Sequence, residues 1–132
     1  MVKTYSKNIN LDNFNNFLKN NPNYLLLKYK DKISFIRKII LSSVKKGAIK
    51  KIYIFGSYCN GKANEDSDID ICVIINNNQN RSEVSLKIRL NLSNNDILWC
   101  DLLVYKENVF YSTQNKEGVE NTILEEGVLI YG

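Results

Sequence analysis

The stretch Ile52–Ile75, reading IYIFGSYCNGKANEDSDIDICVII, limits what this chain can fold into more than any other. It opens with the β-branched and aromatic run Ile52-Tyr53-Ile54-Phe55, breaks at Gly56-Ser57, and crosses a polar loop. It then re-enters an apolar run that carries Asp68 and Asp70 two residues apart. The order predicts a strand, a turn and a second, acidic strand. Side chains alternate across a strand, so Asp68 and Asp70 are expected on one face while Ile69 and Ile71 take the other.

Carboxylates held side by side repel, and each pKa rises unless a cation lies between them. A hard divalent ion, above all Mg²⁺, suits such a pair and draws its other ligands from water and substrate phosphates. A phosphate-bearing substrate is therefore expected. Gly56-Ser57 agrees with this. A glycine after a strand lets backbone approach a ligand, and the amides that open the next turn attract an anion. Ser57 adds a hydroxyl for a phosphate oxygen. Singly, each feature has a commoner explanation, since Gly-Ser turns are ordinary and Asp-x-Asp at a strand edge is most often a solvated turn.

A third carboxylate, Asp101, stands in the middle of Ile97–Tyr105, ILWCDLLVY, which reads as a buried strand. An unpaired ionised group inside such a run is costly. A salt bridge to a lysine, a protonated acid, or a place in a metal site with Asp68 and Asp70 would each compensate, and a strand-end location near solvent would lessen the cost. The metal site is the most economical, because one ion explains three residues.

Gly56-Ser57 followed, after residues 58–67, by Asp68-x-Asp70 closely resembles the signature of the nucleotidyltransferase superfamily that includes DNA polymerase β. The short chain looks like its minimal branch, the MNT proteins encoded beside HEPN-domain toxins. The resemblance runs over roughly residues 33–131 and includes Glu126-Gly127-Val128…Tyr131, which is similar to the family's usual ending. It implies an α+β fold, with a mixed sheet of about four or five strands, helices mainly on one face and a palm-like core. It also implies nucleotidyl transfer with two Mg²⁺ ions held by Asp68, Asp70 and Asp101, such ions lying about 3.5–4 Å apart. In this reading Asp68 and Asp70 bridge both ions, Asp101 completes the catalytic one, and Gly56, Ser57 and Lys62 hold the triphosphate.

ATP is the donor the resemblance implies, and the acceptor it implies is a tyrosine of a HEPN-type toxin, with the chain acting as antitoxin. Two other readings stay open: a small-molecule, aminoglycoside-like nucleotidyltransferase, and a non-catalytic antitoxin or regulatory module. One departure bears on this choice. The family commonly has an arginine before the glycine matching Gly61, and here Asn60 stands there. Either Lys62 supplies the charge, or the pocket holds triphosphate less tightly.

Around this motif, residues 1–30 are expected to form an N-terminal extension with some helix, and residues 31–132 the nucleotidyltransferase domain. Leu11, Phe14, Phe17 and Leu18 make a weak amphipathic patch, and Asn21-Pro22 is a good helix entry. Leu26, Tyr29, Ile33, Ile36, Ile40 and Val44 then describe one long helix, or two broken near Asp31, ended by Gly47. Its stripe suits core packing, with Leu25, Leu27 and Phe35 in excess as candidate partner contacts. Lys45, Lys46, Lys50 and Lys51 are expected at the helix end, favourable to its dipole. Glu65 and Asp66 are expected to face solvent. Residues 81–93 alternate like a strand yet also match helical steps. The resemblance selects a helix, which would return the chain for a parallel strand. Helices near Asn108–Asn115 and Val119–Glu125 and a strand Val128–Tyr131 complete the expectation.

A chain of 132 residues suits one domain, and its formal charge of +4 falls short of the dense basic face of a dedicated nucleic-acid binder, so nucleic acid is not the favoured partner. With no histidine, Ser-His and Cys-His mechanisms and His-ligated metals are excluded. Cys59, Cys72 and Cys100 lack Cys-x-x-Cys spacing and read as reduced thiols, Cys72 and Cys100 in the core and Cys59 partly exposed. No signal peptide or membrane-spanning run is apparent, and a cytoplasmic protein is expected.

Overall fold

The computed structural model describes residues 29–60, 66–112 and 118–132, with Asn60 described in its backbone only. The expectations for residues 1–28, Gly61, Lys62, Glu65 and residues 113–115 lie outside the described residues.

Helix α1, Lys30–Ser42, turns Ile33, Ile36, Ile39 and Ile40 inward at helical spacing. It ends earlier than the apolar stripe suggested. The Ser43 N–H bonds to the Ile40 carbonyl and closes the last turn, while Gly47, at φ +89°, belongs to the turn that enters the sheet. Val44 continues the apolar pattern by packing on the core from beyond the helix. The last turn of α1 carries no basic residue: Lys45 and Lys46 follow it, and Lys50 and Lys51 lie in the next strand, where the Lys51 ammonium donates to the Tyr111 hydroxyl at 3.1 Å. Lys50 and Lys51 thus belong to the sheet, and of the four only Lys45 and Lys46 stay near the helix end.

Strand β1, Ile49–Phe55, is followed by the single-turn helix α2, Ser57–Asn60, and strand β2, Ile69–Ile75. Helix α3, Arg81–Asn94, settles the ambiguous segment as helix. The Asn80 side chain caps it by accepting from the Glu83 N–H at 3.0 Å, and Val84, Ile88 and Leu92 point inward. Leu86 and Leu90, whose alternation imitated a strand, are exposed. Strand β3, Cys100–Lys106, runs directly into α4, Glu107–Ser112, and α5, Val119–Glu126, leads to β4, Val128–Tyr131.

The four strands lie in the order β3-β2-β1-β4. β1 is antiparallel to both β2 and β4, whereas β2 and β3 are parallel, joined by the α3 crossover. The sheet is thus mixed, as expected. Its central strands, buried on both faces, read as near-continuous apolar runs for that reason. The long helices α1 and α3 cover one face, packing on Ile52, Ile54, Ile69, Ile71 and Val73. The other face buries Tyr53, Phe55, Cys72, Ile74 and Leu129 beneath Phe110 of α4 and Ile123 of α5. Each fully buried apolar side chain of this size contributes about 1.5–3 kcal/mol.

β3 is an edge strand, yet two of its outward carbonyls are occupied. Arg81 donates to the Val104 carbonyl at 2.7 Å and Arg89 to the Leu102 carbonyl at 2.8 Å, both from α3. The three cysteines are free. Cys59 is buried rather than partly exposed, its thiol donating to the Ile54 carbonyl at 3.2 Å. Among the described residues no helix is long and apolar enough to cross a membrane.

Candidate active site

Alternation in β2 acts on Asp70 alone, because the strand begins at Ile69 and Asp68 precedes it. Ile69 and Ile71 are fully buried under α1 and α3, whereas Asp70 turns to the opposite face and Asp68, just before the strand, is exposed. The parallel register then sets Asp70 directly beside Asp101. Leu102 and Val104 of β3 pack with the α1–α3 layer, so Asp101 takes the same face as Asp70.

Asp101 stands in a different setting from the one expected. β3 begins at Cys100, which makes Asp101 its second residue and exposed. The cost of burying a charge in mid-strand does not arise, and the preceding apolar residues mislead because Leu98 is 80% exposed. What marks Asp101 is its neighbour. Partial burial raises the pKa of Asp70, and the charges of Asp101 and Asp68 together with a hydrogen bond to Asp101 raise it further.

Gly56 closes the site from β1. Its φ of +74° is left-handed, and a Cβ there would run into the Asp70 Oδ2, with Asp70 Cγ only 3.0 Å away. The glycine therefore serves the carboxylate next to it as much as any ligand. Phe55 pairs with Asp70 across the antiparallel ladder, which brings the Gly56-Ser57 turn to the same end of the sheet as the carboxylates. Ser57 is half-buried at the start of α2. Asp66 is exposed, as expected. Lys62 lies outside the described residues.

The carboxylates suit a hard cation in donor chemistry, all oxygen and all anionic. A cation between Asp70 and Asp101 would relieve the repulsion that helps to raise the Asp70 pKa. As they stand, no three acidic or cysteine side chains among the described residues are gathered closely enough to hold an ion.

A second cluster at this end has no counterpart in any local pattern of the chain. Lys32 of α1 donates to the Tyr58 hydroxyl at 3.0 Å and lies over the Trp99 ring, 3.9 Å from its centroid. Residues so far apart in the chain carry no shared spacing that could have announced the contact.

A model of the family described as polymerase beta, nucleotidyltransferase, matches residues 36–132. No curated protein matches the chain. Among solved structures, a candidate nucleotidyltransferase from Sulfolobus solfataricus superposes with a TM-score of 0.53 at 19% identity, covering 80% of this chain and 81% of the other. That likeness concerns the fold. Two toxin–antitoxin structures align more loosely. A mutant of the MntA–HpeT pair has a TM-score of 0.44 at 21% identity, over 73% of this chain and 69% of the other. A toxin–antitoxin with AMP-PNP has a TM-score of 0.43 at 23% identity, over 71% and 68%. With the family pattern spanning most of the length and a mixed four-stranded sheet beneath it, the chain belongs to the polymerase beta family of nucleotidyltransferases, and is a transferase.

Proposed function

We propose that residues 31–132 form a magnesium-dependent nucleotidyltransferase that moves AMP from ATP to a hydroxyl. We further propose that the acceptor is a tyrosine of a HEPN-type toxin, which the chain restrains as an antitoxin. The observation that carries the reading is the in-register pairing of Asp70 with Asp101 at the end of the sheet where Gly56-Ser57 turns. The acceptor rests on the resemblance of the short Gly56-Ser57…Asp68-x-Asp70 pattern to the minimal branch of the family. The reading implies a cytoplasmic location, with which three free cysteines agree.

In this account the Gly56 and Ser57 amides and the Ser57 hydroxyl hold the triphosphate tail, with Lys62 as its cation, so that pyrophosphate points away from the acceptor. The acceptor oxygen attacks the α-phosphorus, the bond to the β-phosphate oxygen breaks, and Asp101 takes the hydroxyl proton. Two magnesium ions held by Asp68, Asp70 and Asp101 would supply stabilisation of charge on the attacking and leaving oxygens. Asp70, beneath Asp101 and fixed by Gly56, keeps the acidic face in register.

The test is to combine the protein with ATP, Mg²⁺ and the product of the neighbouring gene, and to weigh both proteins by mass spectrometry. An AMP-sized increment on the partner, lost with Asp70→Ala, is the expected result. No increment with either form would overturn the reading.

A non-catalytic antitoxin is the second reading, favoured by Asn60 standing where the family commonly has an arginine. Toxin neutralisation that survives Asp68→Ala combined with Asp70→Ala would select it.

A further inference from the structure

Lys32 is half-buried, and among the described residues its ammonium has no carboxylate partner. It is held instead by aromatic groups. Besides the Tyr58 hydroxyl and the Trp99 face, the Tyr29 and Tyr58 rings lie 5.4 and 5.6 Å away, and those two rings meet edge to face with centroids 5.0 Å apart. An ammonium over an indole face is bound by the ring quadrupole, most strongly where water is partly excluded.

This one charge touches three segments that the chain keeps apart. It belongs to the first turn of α1. Tyr58, 1% exposed and packed in the core, lies directly after Ser57 in α2, and the Cys59 N–H bonds to the Gly56 carbonyl at 2.9 Å across the same turn. Trp99 stands two residues before Asp101, and its carbonyl accepts from the Ile69 N–H at 2.9 Å, between Asp68 and Asp70. Tyr58 and Trp99 thus connect the ammonium to the turn and to the starts of both acidic strands.

We propose that Lys32 is a positioning residue for the nucleotide site: clasped between Tyr58 and Trp99, it fixes the Gly56-Ser57 turn against the edge that carries Asp68, Asp70 and Asp101. The inference rests on the nucleotidyl-transfer reading for its purpose and on the Lys32 contacts for its mechanics. Arginine can keep both contacts, because its guanidinium stacks on an indole and donates to a hydroxyl, whereas methionine keeps the length and loses both.

Amide hydrogen exchange on the full chain, without nucleotide, tests the mechanics. In Lys32→Met the Cys59 and Ile69 amides are expected to exchange roughly ten-fold faster, as for loss of one hydrogen bond to a charged group, while the Ile54 amide in mid-sheet keeps its wild-type rate. Lys32→Arg should restore both. Tyr58→Phe, which removes the hydroxyl and keeps the ring, should reproduce the change at Cys59. Unchanged exchange at Cys59 and Ile69 in Lys32→Met would overturn the proposal, as would a uniform rise that includes Ile54.

The purpose is tested by titrating Mg-ATP against the fluorescence of Trp99, the one tryptophan in the chain. Lys32→Met is expected to weaken apparent affinity roughly ten-fold and Lys32→Arg to stay near wild type. Equal affinity for wild type and Lys32→Met overturns the positioning role. If wild type binds no Mg-ATP, the nucleotidyl-transfer reading fails, and the exchange experiment still decides whether Lys32 holds the turn.

Discussion

Gly56 and Asp70 stand so close across the β1–β2 ladder that a methyl group on the glycine would collide with the carboxylate. Gly56→Ala therefore imposes two penalties, a left-handed φ and displacement of Asp70. A loss of about 1–3 kcal/mol is expected in urea unfolding, with nucleotidyl transfer falling further than stability alone explains. Wild-type activity in a folded Gly56→Ala protein would show that the position of Asp70 is unimportant.

Asp101 is exposed at the start of an edge strand, so Asp101→Asn should shift unfolding free energy by no more than about 0.5 kcal/mol. Transfer of AMP should fall by about 100-fold or more, because in the proposed mechanism the substitution removes both a ligand charge and the proton acceptor. Paired unfolding and single-turnover measurements separate the two effects. Retained transfer would move the chemistry elsewhere.

Arg81 and Arg89 occupy carbonyls on the open side of β3. Replacing both with alanine should cost about 1 kcal/mol for each bond and leave an unpaired edge able to join another copy. Light scattering should show concentration-dependent association in the double variant and none in the wild type.

Tyr105 donates to the Glu120 carboxylate at 2.6 Å, and burial, that bond and the carboxylate's charge push its phenol well above the usual value. Tyr53 is raised chiefly by burial. For an acid whose folded pKa is raised, the stabilising contribution is whole below the unfolded pKa and drains away as pH climbs toward the folded one. Both tyrosines should therefore weaken the fold above about pH 10, the unfolded phenol value. In an ultraviolet titration they should ionise only as the protein unfolds, and Tyr105→Phe should raise the alkaline unfolding midpoint. Reversible ionisation of every tyrosine in the folded state would contradict this.

Much of this was legible in the sequence. The side taken by Asp70 is legible because Ile69 and Ile71 flank it and are buried on the opposite face at the open end of a strand otherwise buried on both. The crossover helix was harder. Leu86 and Leu90, apolar yet exposed, blurred the helical period that Val84, Ile88 and Leu92 carry. The end of α1 was misjudged because Val44 contributes to the core without being helical. Asp101 is legible through the family resemblance and the Asp68/Asp70 pair and not through burial, since exposed Leu98 makes the strand look longer than it is. The contacts of Lys32, Arg81 and Arg89 depend on how elements meet, and no local pattern encodes them.

Because the α3 crossover separates the two partner strands, Asp70 and Asp101 become neighbours only after β3 has docked in parallel. A nascent chain halted within α3, or a proteolytic piece ending there, contains the recognisable Asp-x-Asp motif and yet lacks the facing acid. Synthesis and docking of β3 are thus a precondition for the acidic pair, whatever chemistry that pair performs.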